Sequence, residues 1–204
     1  MNPMMKHVTV AALSACVVTA VVSALAAQSP LAPADADALQ IKIDRMLARA
    51  MAADGQPART VVTDREVNSY LAFVLADTLP TGVVEPSITT LGGGRVTGRA
   101  VVDLDLVRQD RNPTGLLDPS NYLRGRVPLT ATGVVRVHDG IGQFTFESAA
   151  AGALPLPKVL LQYVISYYSR TPERPDGISL DDAVPMPAGI QAIAVEQGRA
   201  IIVQ

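Results

Sequence analysis

Apolar residues follow helical spacing in three segments of the chain. Across residues 38–53 they recur at intervals of three and four, and from Val67 to Leu75 they form one clean stripe. A third segment, 157–169, is apolar except for one narrow polar stripe, so a helix there would need cover on most of its sides. The sequence therefore predicts three helices.

From Val83 the apolar period changes from about 3.6 to 2, which is typical of half-buried strands. Two of the predicted strands would be about 14 and 16 residues long, or roughly 45 to 50 Å, against a usual length near 5 or 6 residues. Strands of that length twist and coil, so their apolar face is expected to form a curved trough. The predicted strands are 83–91, 95–108, 123–138, 141–148, 190–195 and 199–203, with Gly92-Gly93-Gly94 and Asp139-Gly140 as reversals.

Residues 1–27 have the composition of a secretion signal or membrane anchor. Lys6 precedes an uncharged run from Val8 to Ala26 that ends in an A-x-A pattern, as signal peptidase sites do. The run is also near the lower limit for crossing a bilayer, and Cys16 closes a lipobox-like Leu-Ser-Ala-Cys that would be lipidated. Cleavage, retention and lipidation remain open. We expect export to the periplasm or the outer face of the inner membrane, or else a lipoprotein or secreted protein.

The rest of the chain has the size of one domain. Residues 28–37 are rich in Pro, Ala and Asp and are interpreted as a linker, and 38–204 as a single α+β domain. Cys16 is the sole cysteine, so no internal disulfide is expected. With 17 basic and 19 acidic residues the net charge of −2 gives no reason to expect nucleic acid as a partner.

No catalytic or metal-binding motif is found. His138 is the one histidine outside the N-terminal segment, which argues against zinc, and no G-x-S-x-G elbow is present. Asp103, Asp105 and His138 would be the best candidates if the protein were an enzyme, although a solvated strand face explains the two carboxylates more simply. We therefore expect no enzyme activity, no metal and no cofactor.

Four arginines surround the predicted loop between the two long strands. They are candidates for contact with anionic lipid headgroups, although acidic neighbours in the same loop make simple solvation an alternative. The four are Arg108, Arg111, Arg124 and Arg126.

The order of elements resembles bacterial envelope proteins of tubular lipid-binding (TULIP-like) shape. A T-x-x-E-[IV]-N-x-x-L motif opens the second predicted helix, at Thr63 to Leu71, and is followed by long strands, a late apolar helix and a last hairpin. The resemblance covers about residues 60–204, and the helix at 38–53 is an addition to it. It implies a long, strongly twisted antiparallel sheet wrapped around one or two helices, with a cleft that takes acyl chains. Each buried CH2 group would contribute about 0.8 kcal/mol.

The expected function is binding of a lipid or a similar apolar molecule in that cleft. The alternative is a structural or assembly factor of the envelope with a dry core. The residues expected to line the cleft are Leu71, Val74, Leu75, Val102, Leu104, Leu106, Leu129, Val135, Phe144, Phe146, Leu160, Val164 and Tyr167.

Overall fold

The chain combines helices with one large antiparallel sheet. The computed structural model describes residues 30–52, 56–106, 124–168, 170, 172 and 174–204, excluding the side chains of Val164, Tyr167 and Tyr168. The chain divides at Pro30 into two units, and every element below belongs to the second, Leu31–Gln204. The α+β class expected from the sequence is thus confirmed in its coarse form.

The helices lie close to the predicted positions. They are α1 (Pro33–Ala52), α2 (Asp64–Phe73) and α3 (Lys158–Tyr168), with a short 3₁₀ turn at Ala76–Thr78. Helix α1 begins five residues before the predicted start, with Pro33 at its first position, where a missing N–H costs nothing. Residues 33–37, interpreted above as linker, therefore belong to the helix.

All nine described strands join in one antiparallel sheet. The order is β1-β9-β8-β4-β3-β2, while β5 pairs with β4 and also with β6 and β7. Asp139 and Gly140 both have positive φ, as the predicted type I′ turn requires. The strands are β1 (Arg59–Thr63), β2 (Val83–Gly92), β3 (Arg95–Asp103), β4 (Arg126–His138), β5 (Ile141–Ala151), β6 (Leu154–Pro155), β7 (Val184–Pro185), β8 (Ala192–Glu196) and β9 (Arg199–Val203).

Strand β3 is shorter than predicted. It ends at Asp103 rather than residue 108, and residues 104–106 are helical. The cause is Asp103, whose Oδ1 accepts the backbone N–H groups of Asp105 at 3.0 Å and Leu106 at 3.2 Å, as an N-cap does. The expectation of two exceptionally long strands was therefore wrong for β3, which has 9 residues, while β4 has 13.

Helix α2 covers the free edge of the sheet. The Asn68 amide binds both backbone groups of Ile88 in β2, accepting its N–H at 2.7 Å and donating to its carbonyl at 2.9 Å. The Asp64 carboxylate accepts the N–H and the hydroxyl of Thr90, at 2.9 and 2.8 Å. These side chains replace a neighbouring strand, which is one way proteins protect a sheet edge.

The predicted capping box at the start of α2 is present. The Thr63 hydroxyl accepts the Glu66 N–H, and the Glu66 carboxylate accepts the Thr63 N–H at 2.9 Å. Glu66 also accepts a hydrogen bond from Lys42 of α1 at 2.6 Å. Burial raises the pKa of Glu66, but the hydrogen bonds from Lys42 and Thr63 and the lysine charge outweigh it, so the pKa lies below the ordinary 4.5.

Buried side chains come from the two N-terminal helices, from the sheet and from the chain between β6 and β8. Ser69 is fully buried and accepts the N–H of Ala32 at 3.3 Å, which connects the chain before α1 to α2. The buried apolar side chains are Ala36, Leu39, Met46, Val62, Val137, Ala149, Leu180, Ile190 and Val195. Of these, Ala149 is the residue that also reaches the groove described next.

Candidate apolar ligand site

A row of small side chains crosses the middle of the sheet. The pairing places Ile88 opposite Gly98, Gly98 opposite Ala131, and Ala131 opposite Ala149, so four strands contribute to one line. Beside this row, Ala100 lies opposite Leu129. Side chains on one face of paired strands are neighbours, so a row of Gly and Ala leaves a depression in that face.

The depression is an open groove of about 320 Å³ whose exposed lining is almost entirely apolar. The floor of the groove is formed by Ile88, Gly98, Ala131 and Ala149, together with Ala100. Leucines also line the groove: Leu71 of α2, Leu129 of β4, Leu156 before α3 and Leu161 of α3. The polar residues along it are Ser87, Arg99 and Thr130. Pockets for small ligands begin at about this size and are mostly apolar, with few polar groups.

The groove contains two of the residues predicted to line it, Leu71 and Leu129. Others lie elsewhere: Leu75, Val102, Leu104, Val135, Phe144 and Phe146 are partly buried away from the groove, and Val74, Leu106 and Leu160 are exposed. The side chains of Val164 and Tyr167 lie outside the described part. Alternation along a strand identifies a face but not which small residues of neighbouring strands lie opposite one another, so the floor residues were missed.

Phe144 packs on the sheet itself. It lies opposite Val135 in β4, and its ring covers Gly133 so closely that an added Cβ at Gly133 would stand 2.5 Å from Phe144 Cε2. Glycine in β4 therefore makes room for an aromatic ring of β5, and the ring fills that part of the face.

Helix α3 directs its polar stripe toward the chain that follows it. Gln162 donates to the Ile178 carbonyl at 3.0 Å and accepts the Leu180 N–H at 2.6 Å, and Lys158 pairs with Asp181 at 2.6 Å. Gly177, with φ +74°, allows this segment to run against the Ser166 backbone.

One apolar sector of α3, formed by Val159, Leu160 and Tyr163, is exposed to solvent. Val159 is 78% exposed, Tyr163 67% and Leu160 53%. The expected cover is therefore missing at Val159, Leu160 and Tyr163, while the polar stripe of α3 contacts residues 178–181. Leu160 of this exposed sector is next in the chain to Leu161, which lies in the groove.

The predicted headgroup arginines are only partly within the described residues. Arg124 and Arg126 are exposed, and Arg126 pairs with Glu85 at 2.6 Å. Arg108, Arg111 and the lipidation candidate Cys16 lie outside the described residues.

The carboxylates considered for catalysis have local structural roles. Asp103 caps the turn after β3, and Asp105 Oδ2 accepts the Gly125 N–H at 3.1 Å. The His138 side chain is 88% exposed beside Asp139, as expected for a histidine at a turn.

Within the described ranges, no three His, Cys, Asp or Glu side chains are grouped to hold a metal ion. No helix in the same ranges is long and apolar enough to cross a bilayer.

Comparison with known proteins gives no relative: no family model, curated protein or solved structure matches the chain.

Proposed function

We propose that this chain is an exported, non-enzymatic protein of the cell envelope that binds a lipid or a similar apolar molecule in the groove between the sheet and α3. The observation that carries this proposal is the open apolar depression over Gly98, Ala100, Ala131 and Ala149. Larger side chains at these four positions would fill the depression, and the side chains of the described neighbouring residues leave it open.

The size and chemistry of the groove favour one acyl chain over a polar metabolite. Its few polar residues would leave a sugar or an amino acid without partners, which is costly in an apolar setting. A chain burying about eight methylene groups would gain roughly 6 kcal/mol before ordering costs. Binding of that strength is in the micromolar to millimolar range, which suits a ligand that is taken up and released.

The exposed sector of α3 extends the apolar surface beyond the groove. Leu160 and Tyr163 give a longer ligand, or a bilayer, an apolar surface next to Leu161. Exposed apolar patches of this kind are typical of sites that contact other molecules. The exposed sector of α3 and the composition of the N-terminal segment together support a location at or near a membrane.

The second candidate is a structural or assembly factor of the envelope. The same sector of α3 favours it, because Val159, Leu160 and Tyr163 would also suit a protein partner. Under this alternative the groove would bind no ligand.

Titration with a fluorescent polyene fatty acid separates the two. Ala100→Phe should fill the groove and weaken binding at least about tenfold, since about 1.4 kcal/mol corresponds to one decade. Thr89→Phe is the matched control, because it adds the same ring at an exposed position of the adjacent strand β2 outside the groove. Absence of binding by the unaltered protein, or an equal loss in both variants, would remove the lipid proposal.

A further inference from the structure

A second cavity, separate from the apolar groove, lies between the C-terminal half of α1 and strand β1. It measures about 730 Å³ and is open to solvent. Its described lining consists of Lys42, Arg45, Arg49 and Arg59 with Ala48, Ala52, Thr60 and Val61, and none of these described residues is acidic. The cavity is thus basic in a protein whose net charge is −2.

The fold itself brings these cations together. Lys42, Arg45 and Arg49 are spaced at i, i+3 and i+7, which places them on one face of α1. Arg59 begins the strand alongside. Lys42 joins the two elements, since its Nζ donates to the Val61 carbonyl at 2.7 Å and to Glu66 at 2.6 Å.

The lysine charge is compensated by Glu66. Among the described residues, the side chains of Arg45, Arg49 and Arg59 have no hydrogen-bond partner and no acidic partner. Arginines elsewhere do: Arg65 pairs with Asp35, and Arg126 with Glu85. Arg45 and Arg49 are also like charges four residues apart on a helix, an arrangement that is unfavourable without an anion.

We propose that this cavity binds a phosphate-type oxyanion. A planar guanidinium donates two parallel hydrogen bonds to such a group, and three arginines around one cavity match a multiply charged oxyanion better than a single carboxylate. Ala48 and Ala52 leave space for the group that carries the phosphate. The source is either a soluble phosphate compound or the headgroup of an anionic lipid. The site is independent of the groove and does not require the groove to bind lipid.

The first test is calorimetric titration of the full chain with pyrophosphate. Arg45→Gln with Arg49→Gln should weaken binding about tenfold or more, since hydrogen bonds to charged groups are strong. Arg59→Gln alone tests the strand side of the cavity, which keeps the test valid if the double variant does not fold. Arg95→Gln with Arg136→Gln is the control, because it removes the same charge from exposed positions of the sheet outside the cavity.

The second test measures flotation of the full chain with vesicles of phosphatidylcholine, with and without about one third phosphatidylglycerol. The N-terminal segment is common to all variants, so only the difference between variants is scored. If the Arg45/Arg49 variant loses pyrophosphate binding, the ligand is a soluble phosphate compound. If it loses only the binding to vesicles that contain phosphatidylglycerol, the ligand is a lipid headgroup. No binding of either probe, or an equal loss of binding in the Arg95/Arg136 control, overturns the proposal.

Discussion

Replacing Gly133 by alanine should destabilise the protein through the ring of Phe144. Gly133 lies inside β4 and does not have positive φ, so its backbone would accept alanine. Alanine in a strand is normally favoured over glycine by about 0.5 to 1 kcal/mol. Here the new Cβ would stand 2.5 Å from Phe144 Cε2 and 2.6 Å from the Thr145 carbonyl oxygen, far inside van der Waals contact.

The expected loss follows from these opposing effects. Overpacking a well-filled site costs about 1 to 3 kcal/mol, so the net destabilisation should be about 1 to 2 kcal/mol. Part of this cost comes from the ring and part from the Thr145 carbonyl oxygen. In a Phe144→Ala background, Gly133→Ala should therefore cost clearly less, with only the Thr145 carbonyl contact remaining, and the two changes should couple by about 1 kcal/mol.

Urea unfolding followed by circular dichroism measures the four proteins of this double-mutant cycle. A coupling energy near zero, or a stabilising effect of Gly133→Ala in the unaltered protein, would refute the packing of Phe144 across Gly133. It would also return Phe144 to the residues that could line the groove.

Three further predictions concern α2 and α3. Glu66→Gln should cost about 1 to 3 kcal/mol at neutral pH, because a charged hydrogen bond is lost. Since the folded pKa of Glu66 is lowered, its contribution is fully present above about 4.5 and is lost as the pH falls below that value, so unfolding curves of the two proteins should converge in acid. Asn68→Asp removes the donor to the Ile88 carbonyl, and hydrogen exchange at the Ile88 amide should become faster; an unchanged rate would contradict the edge contact. Leu160→Gln with Tyr163→Gln should change the melting temperature little and reduce association with phosphatidylcholine vesicles; a large loss of stability would mean that this sector is covered.

Local chemistry in the sequence was sufficient to predict much of the fold. The capping box at Thr63 and Glu66 and the Asp139-Gly140 turn act within a few residues, so their sequence patterns determine the structure directly. The period-2 segments also predicted the strands, although the cap at Asp103 ended β3 early. Strand β1 was missed because Arg59–Thr63 is short and obtains its stability from pairing with β9.

The candidate sites depend on tertiary pairing and were harder to predict. The groove floor requires Gly98, Ala131 and Ala149 to be aligned across three strands, which only the register defines. The orientation of α3 involves a contact between Gln162 and the Leu180 N–H, which lies in a segment with the composition of an ordinary loop. The spacing of Arg45 and Arg49 on one helix face can be recognised in the sequence. The position of Arg59 beside α1, which completes the basic cavity, depends on the tertiary fold.

Native mass spectrometry of the protein purified from its own host tests the central claim most directly. If the groove holds one apolar molecule, the unaltered protein should carry a bound mass that organic extraction removes and that Ala100→Phe lacks. Detection of only the bare polypeptide in both proteins would contradict lipid binding in the groove.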